Sequence, residues 1–403
     1  MPNSLSTGTD QLLLQLFVVF VTAKLLGEFF ERLTLPSVPG EILAGIVLGP
    51  FALGWVPNSD TLGSIAQIGA IFILFSAGLE TNPRELVRVS RKALLVSVIG
   101  VLAPFVLGFA YMKFRGEPTL GAVFVAAAMV ATSVGITARV LGEMNLLSTR
   151  TSRLILAAAV FDDVLGMLVL AIVAGAASRT GVQWLHLGIV TAEAVAFALF
   201  MMLVAPRVVR QLQPKVEGLS TQNASLIFAL SLCLFLSWLA AKIGMAAIVG
   251  GFFAGMMFAE HAPRWNLISR VGGMTEFLAP FFFFDIGARF NPRLFATGGL
   301  VKVAVIVSAL ALISKVIGCG LPVVREGWLT ALRVGVGMMP RGEVALIVAL
   351  VGLYSKILGD TAYGVIVLMT LITTVIAAPV LRYLFRNERR HREDDGLAAT
   401  VQL

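Results

Sequence analysis

The sequence predicts an all-α polytopic membrane protein with about thirteen transmembrane helices. Of its 403 residues, 58% are hydrophobic and only 13% are charged, against roughly 25% charged in an average soluble domain. Apolar runs of about 18 to 25 residues recur along the whole chain, and each is long enough to cross a hydrocarbon core of about 30 Å as a helix. Composition and run length together exclude a soluble globular class.

The breaks between the apolar runs define the predicted spans, which are numbered in chain order. Basic residues concentrate in the short connecting loops, with thirteen in the loops after odd-numbered spans and seven after even-numbered spans. This bias places the N-terminus outside and the C-terminus in the cytoplasm. The net charge of +8 therefore reports topology rather than nucleic-acid binding. The thirteen spans cover about 10–32, 38–55, 61–80, 89–111, 118–142, 150–176, 185–205, 222–241, 244–260, 271–288, 297–320, 327–352 and 361–386.

Two pairs of similar segments indicate an internal repeat. The string "EILAGIVLG" (41–49) resembles "AIVGGFFAG" (247–255), and "GLETNPREL" (78–86) resembles "GARFNPRLF" (287–295), at offsets near 206 and 209. Both matches superpose spans 2 and 3 on spans 9 and 10. Because seven spans separate the partners, the two units face opposite ways, as in many secondary transporters. Chance similarity between glycine-spaced apolar segments is the alternative, and two ordered matches at nearly one offset favour the repeat.

Spans 5 and 12 correspond under this repeat, and both are interrupted. Span 5 contains "ATSVGITARV", in which Thr132 and Ser133 offer hydroxyls to the backbone, and span 12 contains "GVGMMPRGEV", in which Pro340 lies among glycines. Kinks in lipid-facing helices would leave unsatisfied backbone groups in hydrocarbon. Paired breaks at corresponding positions instead indicate the substrate site of a transporter.

Span 6 carries two adjacent carboxylates, Asp162 and Asp163, inside an apolar run. A carboxylate at this depth costs roughly 2.5 kcal/mol or more, so it needs a partner. The deeply placed Lys315 of span 11 is the expected counter-charge. Successive helical residues diverge by about 100°, so the second carboxylate has another role. A carboxylate that binds either H⁺ or a hard cation couples the movements of the two, whereas the alternative is a static ion pair that orders the bundle.

Three further charged residues within the spans are candidates for a supporting role at the site. Arg341 and Glu343 flank the break in span 12, where we expect them to satisfy each other or neighbouring groups rather than to contact the ion. Asp285 lies in "LAPFFFFDIGARF" at the repeat position of Ser76. It is either a supporting carboxylate on the ion pathway or a paired residue near the membrane face.

The ordered strings "VPGEILAGIVLGP", "ATSVGITARVL", "FDDVLG", "SKVIG" and "GMMPRGEVALIV" resemble the monovalent cation:proton antiporter-2 family, most closely the bacterial NapA-type sodium/proton antiporters. The resemblance covers nearly the whole chain. It implies an NhaA/NapA-like fold with two crossed discontinuous helices, a homodimer in the bacterial inner membrane and an elevator-type movement. Within a membrane domain of residues 1–386, it assigns helices at about 10–80 and 222–288 to dimerisation and helices at about 89–176 and 297–386 to the core. Residues 387–403 are expected to form a short, charged, disordered cytoplasmic tail.

By resemblance, Asp163 is the ion-binding carboxylate and Asp162 is the partner of Lys315. Thr132 and Ser133 fall on an unwound segment. An adjacent aspartate pair accompanies electrogenic exchange in relatives, so the resemblance implies a secondary active transporter, not an enzyme, that exchanges Na⁺ or Li⁺ for H⁺ without a cofactor. Asp285 departs from the apolar or small residue that we expect there.

Two alternative functions remain. The first is a K⁺/H⁺ antiporter of the same family, because selectivity between monovalent cations depends on cavity size and ligand geometry rather than on ligand type. The second is an intramembrane aspartyl protease, which also needs two buried carboxylates. Those enzymes carry one of the two in a Gly-x-Gly-Asp motif, and the sequence contains no such motif.

Overall fold

The computed structural model describes residues 4–33, 35–81, 91–144, 146–147, 149–177, 192, 196–197, 199–201, 204–218, 223–243, 246–296 and 298–401. All regular structure in these ranges is helical, including two 3₁₀ segments at Pro292–Ala296 and Leu321–Glu326. The α-helices, labelled in chain order, are α1 (Ser4–Arg32), α2 (Val38–Leu48), α3 (Asp60–Glu80), α4 (Arg91–Phe114), α5 (Thr119–Val130), α6 (Val134–Glu143), α7 (Arg150–Ala177), α8 (Ala205–Glu217), α9 (Ala224–Lys242), α10 (Ala247–Phe258), α11 (Leu267–Arg289), α12 (Gly298–Gly320), α13 (Trp328–Gly337), α14 (Glu343–Tyr354) and α15 (Asp360–Val401).

Within the described ranges, eight helices are long and apolar enough to cross a membrane, and α2, α5, α10 and α14 are shorter apolar helices. The predicted all-helical polytopic class is therefore confirmed. The count of thirteen spans stays a prediction, because predicted span 7 (185–205) lies largely outside the described residues.

Two predicted boundaries are wrong. Span 2 was expected to reach residue 55, but α2 ends at Leu48, because Gly49 takes an extended conformation and Gly54 a positive φ of 69°. The tail at 387–403 was expected to be disordered, but α15 continues to Val401. Its sequence "NERRHREDDG" is rich in Glu and Arg, which have high helix propensity.

The described chain divides into two compact units. Unit 1 comprises residues 1–87, 167–297 and 350–364, and in it α11 packs on α2 and α3 while α10 packs on α3 and α9. The helices cross at backbone contact. A Cβ on Gly45 would overlap the Phe284 carbonyl, and a Cβ on Gly255 would overlap the Phe75 carbonyl. Glycine at such positions lets two helix axes approach closely.

The two crossings in unit 1 are equivalent. Gly255 lies 210 residues after Gly45, four residues away from the 206-residue offset of the matched strings, and Gly287 lies 209 residues after Gly78, as the second match requires. Gly287 packs on the backbone of α2 just as Gly78 packs on the backbone of α10. The same glycines therefore make the same close contacts in both halves, which supports the predicted inverted repeat.

Unit 2 comprises residues 88–166, 298–349 and 365–403. Here α4 packs on α5 and α12, and α12 also packs on α13. A buried apolar cluster joins these helices to α7 and α15, with Val96, Leu141, Ile155, Val334 and Phe385 among its members. Predicted spans 5 and 12 are both split in this unit, one into α5 and α6 and the other into α13 and α14.

Candidate functional site

The two split helices meet at their breaks. Helix α5 ends at Val130 because Ala131 and Ser133 take extended backbone conformations, and the chain at Pro340 cannot continue α13. The backbone groups that the breaks release are satisfied across the crossing, so neither break leaves them in hydrocarbon. These bonds run from Thr132 Oγ1 to the Met338 carbonyl at 3.3 Å, from Ser133 N to the Pro340 carbonyl at 2.8 Å and from Thr137 Oγ1 to the Gly337 carbonyl at 2.6 Å.

A buried ion pair lies next to the crossing. Lys315 Nζ on α12 is 2.7 Å from Asp162 Oδ1 on α7, and both side chains are at most 1% exposed. The same ammonium donates to the Val130 carbonyl at 2.9 Å, at the end of α5. Lys315 therefore joins the aspartate helix directly to the start of the unwound segment that holds Thr132.

The pair is incompletely satisfied. Asp162 Oδ2 is buried and meets no hydrogen-bond donor among the described residues. A buried polar atom without a partner is costly, and in native proteins it often marks a functional group or a place for water or an ion. The second aspartate, Asp163, follows on the same helix, about 100° around its axis, and is less buried than Asp162. One aspartate of the site is thus paired with the buried Lys315, and the other is more exposed to solvent.

The two charged residues after the break also contribute to the site. Arg341 is fully buried, donates from Nη2 to the Ala311 carbonyl at 3.1 Å and interacts electrostatically with Asp162. Glu343, at the start of α14, accepts a hydrogen bond of 3.4 Å from Ser133 Oγ. Arg341 and Glu343 were expected to satisfy each other or neighbouring groups, and both contact neighbouring groups, at Ala311 and Ser133 respectively. Glu343 is in direct contact with the unwound segment, which the sequence did not indicate.

Asp285 lies in a different environment. It belongs to unit 1, whereas the other predicted site residues belong to unit 2. Its carboxylate pairs with Arg289 Nε at 2.9 Å and accepts a hydrogen bond from the Tyr354 hydroxyl at 3.3 Å. Of the two expectations for Asp285, the paired residue is the one that the structure shows. The i,i+4 spacing of Asp285 and Arg289 was the sequence signal for this pair, whereas no pattern in the sequence indicated the tyrosine.

The chain matches a family model described as the transmembrane sodium/hydrogen exchanger over residues 17–387. It is 33% identical to the high-affinity Na⁺/H⁺ antiporter NhaS3 of Synechocystis, over 94% of this chain and 90% of that protein. It is also 33% identical to the Na⁺/H⁺-K⁺ antiporter GerN of Bacillus cereus, over 92% of this chain and 95% of that protein.

A solved structure shares the fold. The sodium proton antiporter MjNhaP1 of Methanocaldococcus jannaschii superposes with a TM-score of 0.71, covering 94% of this chain and 98% of that one at 15% sequence identity. At that identity the likeness concerns the fold alone. It agrees with the all-helical architecture described above.

Proposed function

Because this chain belongs to the transmembrane sodium/hydrogen exchanger family, we propose that Na⁺ and H⁺ compete for Asp163 at the crossing of the split helices. The protein is a multi-pass Na⁺/H⁺ antiporter. Hard cations prefer oxygen ligands, and Asp163 together with the hydroxyls of Thr132 and Ser133 provides them. Protonation of the carboxylate removes its charge and with it the attraction for the cation. Exclusive occupancy of this kind couples the two ion movements.

The arrangement of Asp162 and Lys315 is the observation that supports this assignment most directly. The first of the two adjacent aspartates is held by Lys315 in a fully buried ion pair, and the second, Asp163, follows it on the same helix. The pair lies next to a crossing whose carbonyls and hydroxyls are released from regular helix. Such half-helix ends are where transporters of this type bind ions.

The charge of the site supports electrogenic exchange. When Lys315 gives up its proton, its pair with Asp162 is broken, so the pair supplies a second proton per cycle besides the one at Asp163. Two protons moving against one Na⁺ carry net charge across the membrane. The adjacent aspartates, which accompany electrogenic exchange in the antiporters that the sequence resembles, agree with this stoichiometry.

The cellular setting follows from the same resemblance. We place the protein in a bacterial inner membrane as a homodimer, with the N-terminus outside and the C-terminus in the cytoplasm. Helices at about 10–80 and 222–288 form the dimerisation part, and those at about 89–176 and 297–386 form the moving core of an elevator. It acts as a transporter rather than as an enzyme and needs no cofactor.

A K⁺/H⁺ antiporter is the second candidate. The observation that favours it is the relative GerN, whose name includes K⁺ beside Na⁺ and H⁺, at 33% identity. Both cations fit a site of carboxylate and hydroxyl oxygens, so the donor set alone does not separate them.

Transport in proteoliposomes with an imposed pH gradient tests the cation. Li⁺, Na⁺, K⁺ and Rb⁺ are offered in turn, and we expect Na⁺ and Li⁺ to dissipate the gradient. If only K⁺ dissipated the pH gradient, the result would contradict Na⁺/H⁺ exchange and support the K⁺/H⁺ antiporter.

Calorimetry tests the competition itself. Na⁺ binding to the purified protein should weaken by about tenfold for each pH unit once the site carboxylate becomes protonated, because proton and metal require the same deprotonated ligand. Sodium affinity that does not change with pH would contradict the mechanism.

A further inference from the structure

Unit 1 contains an open cavity of about 790 Å³, and all of the residues that line it belong to this unit. The cavity lies where α1 ends, α2 begins and α11 makes its first turns, so it opens at one end of the spanning helices. Small-molecule sites typically have volumes of about 300–1,000 Å³, whereas one water occupies roughly 30 Å³. In the topology proposed above, α1 ends on the cytoplasmic side, so the cavity faces the solutes of the cytoplasm.

The walls of the cavity are acidic. They carry four carboxylates and one ammonium group, that of Lys24, which leave a formal net charge of −3. The carboxylates are those of Glu28, Glu31, Glu41 and Glu276. Glu41 is only 4% exposed, Lys24 Nζ lies 4.0 Å from its Oε1, and no side chain in the described part of the protein donates a hydrogen bond to its carboxylate. A buried carboxylate without a hydrogen-bond donor is costly, and a cationic ligand would supply the donor.

The other half of unit 1 makes the same helix crossing without these acids. Gly40 of α2 packs on the Leu26 carbonyl of α1, just as Gly250 of α10 packs on the Leu236 carbonyl of α9, 210 residues later. At this offset, and at the 209-residue offset between α3 and α11, the four glutamates correspond to uncharged residues. These residues are Trp238, Ala241, Gly251 and Gln67. The crossing therefore forms without an acid at any of the four positions.

A guanidinium group fills the corresponding space in that other half. A Cβ on Gly63 of α3 would be 3.2 Å from Arg289 Nη2. Gly272 of α11, which lines the cavity, corresponds to Gly63 at the 209-residue offset, and a Cβ there would meet nothing within 4 Å. One half of unit 1 thus supplies its own guanidinium, whereas the acidic half leaves the equivalent space open.

We infer that the cavity of unit 1 is a binding site for a small organic cation that carries a guanidinium group. The planar fork of N–H donors in a guanidinium matches a carboxylate, so such a ligand would satisfy Glu41 and balance the charge of the walls. The site belongs to unit 1, whereas Asp163 belongs to unit 2. The inference therefore goes beyond the proposed ion exchange and does not depend on it.

Calorimetry on the purified protein tests the site with butylguanidinium, and butylurea serves as a neutral probe of the same shape. We expect saturable binding of butylguanidinium and binding of butylurea that is weaker by at least about tenfold. Glu41→Gln should weaken the binding of butylguanidinium by about tenfold, because a charge-assisted hydrogen bond is lost. Gly272→Leu should weaken it as well by filling the open space, and this variant remains informative if Glu41→Gln does not fold. The matched control, Asp10→Asn, changes an exposed carboxylate on α1 and should leave the affinity within about twofold of the wild type.

Several results would overturn the inference. Absence of saturable butylguanidinium binding would do so, as would equal binding of butylurea, because charge would then play no part. Unchanged affinity in both Glu41→Gln and Gly272→Leu would show that the cation binds elsewhere. Loss of binding in Asp163→Asn would assign the cation to the proposed ion site instead of the cavity. Binding is measured without transport, so a failure of Na⁺/H⁺ exchange is a distinct result.

Discussion

The inverted repeat builds two kinds of helix crossing in this chain. In unit 1, continuous helices cross on glycines, and at Gly45 and Gly255 no side chain separates one backbone from the next. In unit 2, split helices cross through extended segments whose carbonyls and amides are satisfied by Thr132, Ser133 and Thr137. The glycine crossings are apolar and closely packed, whereas the crossing of the split helices is polar and lies next to buried charges. One repeat thus yields close backbone packing where glycines cross and, where the helices are interrupted, the polar crossing that we propose as the ion site.

The largest effect is expected at the carboxylate beside the polar crossing. Asp163→Asn should abolish exchange, because an amide neither binds a proton in this range nor offers the charge that attracts Na⁺. Asp360→Asn, which changes an exposed carboxylate in α15, should leave exchange unchanged. Flux is measured in proteoliposomes, and folding is checked by thermal unfolding. Wild-type exchange in Asp163→Asn would show that the polar crossing is no more an ion site than the glycine crossings are.

Substitution of the buried Lys315 is expected to have the second-largest effect. Lys315→Gln leaves Asp162 without its 2.7 Å partner, and breaking a buried pair typically costs about 3–5 kcal/mol. In the folded fraction, transport should respond less to membrane potential, because a charge-carrying group is gone.

The matched control for Lys315 is Lys302→Gln, an exposed lysine on the same helix. The control should change neither the unfolding temperature nor the response to an imposed potential. Full voltage dependence in Lys315→Gln would mean that the ion pair is only structural, as the glycine crossings are.

The glycine crossings predict a loss of stability without a change in ion affinity. Gly255→Ala places a methyl group against the Phe75 carbonyl and should lower the free energy of unfolding by about 1–3 kcal/mol, as overpacking does. Gly272→Ala, whose Cβ meets open space, should be neutral or slightly stabilising.

The same substitution at the polar crossing gives the contrast. Gly342→Ala brings a Cβ within 2.6 Å of Ser133 Cβ and should raise the KM for Na⁺. If Gly255→Ala changed KM as much as Gly342→Ala, the division between scaffold and site would be lost.

The smallest effect is expected at a contact of unit 1 outside the spanning helices. Glu217 accepts hydrogen bonds from Trp265 Nε1 at 2.8 Å and Gln213 Nε2 at 3.0 Å and pairs with Arg264 at 2.8 Å. The hydrogen bond from Trp265 is the main cause that lowers the pKa of this carboxyl. A lowered folded-state pKa contributes stability above the unfolded pKa, which is lost as the pH falls through the folded value.

The measurement is the difference in unfolding temperature between the wild type and Glu217→Gln. This small difference should be present at about pH 6 and should be lost as the pH falls through the lowered folded-state pKa of Glu217. If the difference in unfolding temperature did not change with pH, the Glu217 contact would stabilise the protein through packing rather than through its charge.

The sequence was sufficient for features with a local chemical cause. The breaks around Ser133 and Pro340 could be predicted because polar residues, glycines and a proline cluster there at positions related by the repeat, whereas single prolines such as Pro104 and Pro280 lie inside continuous helices. A lone lysine deep in an apolar run needs an acid, which is why Lys315 was expected to meet one of the two aspartates, and the family resemblance indicated Asp162. The site assignment to Asp163 stays a prediction.

Features that depend on long-range packing could not be predicted. The contact of Tyr354 with Asp285 joins residues 69 positions apart, and no periodicity in the sequence records it. The extension of α15 to Val401 was missed because a charged tail was taken for disorder, although its residues favour helix. The hydrogen bond from Lys315 to the Val130 carbonyl could not be predicted either, because that carbonyl is available only where α5 ends.

The shared Lys315 connects two elements of the proposed site through one ammonium group. An ammonium has three N–H bonds, and two of them serve Asp162 and the Val130 carbonyl at once. A neutral amine has one N–H fewer and no charge to hold either oxygen firmly. In the proposed exchange, deprotonation of Lys315 would therefore weaken its contacts with the aspartate helix and with the end of α5 at the same time.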